Sequence, residues 1–97
     1  MNGLKVLVLD VLKPHDPTLP EFAKKICSLS SVDGVNISLL EIDHETENIK
    51  ITLQGEAIDF EEVEVMISEI GGSIHSIDKV AAGVKVVSEA NTPQDRI

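Results

Sequence analysis

The sequence predicts an α+β domain with the element order β-α-β-β-α-β, and three observations carry that prediction. Two helix-start signatures, Thr18-Leu19-Pro20-Glu21 and Asp59-Phe60-Glu61-Glu62, each open a stripe of apolar residues at helical spacing. Strand-like runs flank both stripes. Glycine closes both helix-to-strand connections, at Asp33-Gly34 and Gly71-Gly72. A chain of 97 residues fits one domain. Residues 1–90 are assigned to it, and residues 91–97 to a loose polar tail containing Pro93.

The elements follow in order. Leu4 to Leu12 is almost continuously apolar and reads as a strand covered on both faces. Lys13-Pro14-His15-Asp16-Pro17 reads as a loop, because two prolines punctuate it. The first helix is capped by Thr18 and runs to about Ser30. Its stripe is Leu19, Phe22, Ala23, Ile26 and Leu29. Val35 to Asp43 forms the second strand and Glu47 to Gln54 the third, with a short acidic turn between them. In the third, Ile49, Ile51 and Leu53 alternate with polar residues, so one face is buried. The second helix, capped by Asp59, carries Phe60, Val63, Met66, Ile67 and Ile70 on one stripe. Its glutamates, Glu61, Glu62, Glu64 and Glu69, read as its solvated face. Ser73 to about Val80 is the fourth strand, and Val84-Lys85-Val86-Val87 reads as a short extra one. This order is the ferredoxin-like plait: a four-stranded antiparallel sheet, order 4-1-3-2, with two helices on one face.

Composition excludes several function classes. A net charge of −9 opposes nucleic-acid backbones and anionic lipid. Both aromatic residues, Phe22 and Phe60, fall on helices, so the sheet offers no platform for stacking bases. No apolar run reaches the length of a membrane span. A single cysteine, Cys27, rules out an intramolecular disulfide and reads as a buried structural residue. The expected location is the cytoplasm. No residue resembles an activated nucleophile or a tuned acid–base pair, so the expectation is a protein that is not an enzyme.

What chemistry there is gathers at one end of the sheet. The plait brings the ends of strands one and two and the starts of strands three and four to a common rim. The residues expected there as ligands of a divalent cation are Asp10, Asp43 and His75, then Glu41, Glu45, His15 and Asp16. Carboxylate oxygens suit Ca²⁺, the first choice, or Mg²⁺ and Mn²⁺, and imidazoles move the preference toward Zn²⁺. Asp10 stands out because it interrupts an apolar central strand, where a charge needs a partner. Glu45 and Glu47 read as plain turn residues. The first strand is apolar on both faces while two helices cover only one. A second copy of the chain is therefore expected against the open sheet face and edges.

Two resemblances arise from particular strings. Leu7-Val8-Leu9-Asp10-Val11-Leu12-Lys13-Pro14, with Ile70-Gly71-Gly72-Ser73-Ile74-His75-Ser76-Ile77-Asp78-Lys79-Val80-Ala81-Ala82-Gly83, resembles the archaeal domain-of-unknown-function family two-one-one. The likeness runs from Leu4 to about Glu89. It implies a small ferredoxin-like archaeal cytoplasmic protein that forms oligomers and has no assigned activity. Asp16-Pro17-Thr18-Leu19-Pro20-Glu21-Phe22-Ala23, with Gly34-Val35-Asn36-Ile37, is similar to ACT regulatory domains. That likeness implies a small-molecule effector, such as an amino acid, lined by Asp16, Pro17, Thr18 and Asn36. Thr18 stands where ACT domains carry a glycine.

Overall fold

In the computed structural model, which describes residues 3–92, the order is β1 (Leu4–Pro14), α1 (Leu19–Cys27), β2 (Gly34–Ile42), β3 (Thr46–Gln54), α2 (Phe60–Glu69) and β4 (Ser73–Ala82). The strands form one antiparallel sheet in the order β2-β3-β1-β4, with both helices on one face. The fold is the ferredoxin-like plait.

The core lies between helices and sheet. Leu7, Leu9 and Val11 of β1 meet Ile49, Ile51 and Leu53 of β3, with Phe22 and Ile26 of α1 and Val63 and Ile67 of α2 above them. The register explains why these six strand residues share one face. Leu7 stands opposite Leu53, Leu9 opposite Ile51 and Val11 opposite Ile49, and directly opposed residues point to the same side.

Each helix has a physical start and stop. At the start of α1, the Glu21 carboxylate accepts from the Thr18 backbone N–H at 3.0 Å and from its hydroxyl at 2.9 Å. Those two bonds hold the Glu21 carboxyl below its usual range. At α2 the Glu62 N–H donates to Asp59 Oδ1 at 3.2 Å. Gly71, with φ +95°, ends α2 in a conformation that suits glycine.

Several boundaries differ from expectation. Helix α1 stops at Cys27 instead of Ser30, because a turn over residues 28–31 directs the chain toward β2. Cys27 is exposed, not buried: it lies one position past Ile26, which takes the core side. Strand β1 continues through Lys13 and Pro14, and β4 continues to Ala82. Val84–Val87 is not a strand. The chain turns at Gly83, φ +116°, whose N–H donates to the Gly3 carbonyl at 2.9 Å, and then leaves the sheet. Asn91 and Thr92 are exposed, and the rest of the expected tail, residues 93–97, lies outside the described residues.

Candidate functional site at the hairpin rim

Alternation along β1 places Lys13 on the same face as Leu7, Leu9 and Val11. Lys13 is only 1% exposed. Its aliphatic stem lies in the core and its ammonium stays enclosed beneath the rim, 5.4 Å from the centroid of the Phe22 ring. Nζ donates to the Pro14 carbonyl at 2.7 Å and to Glu47 Oε1 at 3.0 Å. Glu47 stands opposite Lys13 in the β1–β3 register, so its carboxylate arrives on that face.

The second oxygen of Glu47 holds His15, with Nδ1 at 2.8 Å. His15 Nε2 lies 3.1 Å from the carbonyl of His44, in the β2–β3 turn. Both ring nitrogens thus face acceptors, an arrangement only the imidazolium satisfies by donating twice. The Glu47 bond, then the His44 carbonyl, raises the His15 pKa above 6.5. His15, followed by Lys13, lowers that of Glu47. Lys13, Glu47 and His15 form one chain of charge-assisted bonds that ties the β1–α1 loop to the hairpin tip.

Asp10 lies on the other face of the sheet. Its Oδ1 accepts from the Asn48 side-chain amide, which also donates to the Val11 carbonyl at 3.3 Å. Asp10 stands opposite Lys50 on β3 and Ser76 on β4. The charge in the apolar strand therefore has its partner.

The structure brings together only part of the expected set. His15 meets the turn at His44, but its bonded partner is Glu47, which reads as a plain turn residue in the sequence. Asp43, Glu45, Glu41, Asp16 and His75 are all exposed. Glu41 stands opposite Asn48 on β3, and His75 falls where the β1–β4 register shifts. Among the described residues, no three His, Cys, Asp or Glu side chains gather where they would hold a metal ion. The physical reason is the pleat. A shared rim is not a shared face, and Asp10 and the Glu47 cluster occupy opposite sides of the sheet.

The effector set also divides. Asp16, Pro17 and Thr18 sit at the hairpin rim. Asn36 stands opposite Thr52, six residues along β3 from Thr46, or about 20 Å of strand. Asn36 lines a recess of about 430 Å³ with Gly34, Val35, Thr52 and Gln54.

Sequence reasoning missed Lys13 and Glu47. The signal was available in the period of two, which puts Lys13 in phase with Val11 and Glu47 in phase with Ile49.

Comparison with known proteins gives the chain relatives but no activity. The profile of DUF211, described as uncharacterized ArCR, matches residues 5–96. The "Uncharacterized protein MJ0319" of Methanocaldococcus jannaschii is 54% identical over 96 residues, covering 99% of each chain.

Proposed function

The chain belongs to the uncharacterised archaeal family DUF211, and we propose that it is a non-catalytic, self-associating domain that works as a homo-oligomer. The observation that carries this reading is the apolar surface of the two edge strands. Leu39, Leu40 and Ile42 on β2, with Ile77 and Val80 on β4, are between 46% and 60% exposed. Branched aliphatics along an unpaired strand edge mark an association surface. The open face contributes less than the edges. Asp10, Asn36, Ser38, Lys50 and Thr52 interleave its apolar residues, and Val8 is already largely shielded, at 9% exposed.

The acidic surface and the absence of aromatic platforms on the strands favour a protein partner over nucleic acid. No helix among the described residues is long and apolar enough to cross a membrane. We place the protein in the cytoplasm. A divalent cation is not required by this reading. A small-molecule effector at the Asn36 recess is a second reading, favoured by the recess alone.

Light scattering across a concentration series tests the main reading. The expected mass is a multiple of 10.5 kDa, with a melting midpoint that rises with protein concentration. A strict monomer at every concentration would refute it.

A further inference from the structure

We propose that the segment following β4 is a donor strand, and that it pairs with the free edge of β2 on a second copy of the chain. The inference rests on the self-association reading and specifies its contact. Residues 84–87 have strand-type composition yet form no strand in their own chain. Val84 is 75% exposed and Val86 56%, values that leave both side chains in water. An ion pair links the segment to its own sheet, Glu89 to Lys79 at 3.1 Å, with both side chains well exposed. A surface pair of that kind stabilises little. Gly83 provides the turn at which the segment departs.

The acceptor lies at the opposite edge of the sheet. The end of β2 reads Leu40-Glu41-Ile42, and the donor reads Val84-Lys85-Val86. Once the donor is extended, both triplets place two branched aliphatics on one side and a single charge on the other. The charges are opposite. Neither Glu41 nor Lys85 has an ion-pair partner among the described residues. Cross-strand pairing would join aliphatic to aliphatic and carboxylate to ammonium. It would also satisfy backbone groups that an edge strand leaves open. Donor and acceptor lie on different edges, so the contact is head-to-tail, and repetition gives a closed ring or a filament.

Two surface variants test this. Leu40→Asp/Ile42→Asp disables the acceptor, and Val84→Asp/Val86→Asp disables the donor. Each is expected to be monomeric in light scattering, with the far-ultraviolet circular dichroism of the parent. Mixed together, they should form a one-to-one dimer, because each retains the half that the other lacks. Glu41→Lys and Lys85→Glu should each weaken assembly roughly fivefold, and the two together should restore it. A synthetic peptide of residues 83–92 in excess should shrink the parent assembly, which keeps the test open if an aspartate pair misfolds. If the parent assembles and both aspartate variants keep its full size, the strand exchange is wrong while self-association stands. If the parent is a monomer, the broader reading has failed and takes this one with it.

Discussion

Lys13 and Glu47 stand directly opposite each other in the β1–β3 pair, and the lysine ammonium lies 3.0 Å from the glutamate carboxylate. The lysine side chain is fully enclosed and the glutamate nearly so. Removing one member leaves a charge with little access to water, which is the costly way to break an ion pair. Lys5 and Glu56 make a geometrically similar pair at the other end of β1, but Glu56 is 85% exposed. Glu47→Gln is therefore expected to lower the urea midpoint clearly, and Glu56→Gln to leave it near the parent value. Equal effects would show that burial does not distinguish the two pairs.

Protonation of His15 should be readable as stability. Its folded pKa is raised above 6.5, mainly by the Glu47 carboxylate. A raised value means that the folded state holds the proton more tightly. The contribution is thus fully present below 6.5 and fades as pH rises through the folded value. Glu47 behaves oppositely. Its folded value lies below 4.5, so its contribution is present above 4.5 and fades as pH falls through that lower value. The gap in urea midpoint between parent and His15→Asn should be widest at mildly acidic pH and close on the alkaline side. A gap that widens with rising pH would contradict the geometry.

Gly72 and Gly34 both precede or open a strand, yet they should respond differently to a methyl group. A Cβ at Gly72 would lie 2.8 Å from Ile67 Cγ2 and 2.9 Å from Phe22 Cζ, both in the packed core. At Gly34 it would meet nothing within 4 Å. Gly72→Ala is expected to destabilise by about 2 kcal/mol through overpacking. Gly34→Ala should be neutral or stabilising by about 0.5 kcal/mol, since it restricts the unfolded chain. Chemical denaturation of the two variants decides it.

The rim carboxylates should not answer to divalent cations in the monomer. Among the described residues no group of three potential ligands converges. Addition of Ca²⁺, Mg²⁺, Mn²⁺ or Zn²⁺ to the EDTA-treated Leu40→Asp/Ile42→Asp protein, expected to be monomeric, should leave its melting midpoint unchanged. A rise that disappears in Asp10→Asn would restore Asp10 as a ligand and overturn that expectation.

The architecture was legible because local signals agreed with one another. Thr18 and Asp59 announce the helices, Gly71 stops one of them, and Ile49-Lys50-Ile51-Thr52-Leu53 declares its buried face. The site was less legible for two reasons. Sequence places residues at an end of the sheet, but the face depends on parity and bulges. Asp10 and Glu47 share an end and differ in face, so they never meet. Lys13 carries the second reason. Two nearby prolines make its neighbourhood look like a loop, while pairing with β3 extends the strand through it. The overstated reach of α1 has a similar origin. Apolar spacing continues to Leu29, although the turn over residues 28–31 has already broken the helix.

The position of β1 between β3 and β4 has a consequence for how the protein is made. The first strand of the fold is enclosed only once the last has formed. It gains one neighbour only when residues 46–54 emerge and the other only with residues 73–82. Until then the chain's most apolar segment lies open to its surroundings. Sheet closure therefore waits on distant partners, whose loop-closure entropy is lost before the strand contacts repay it.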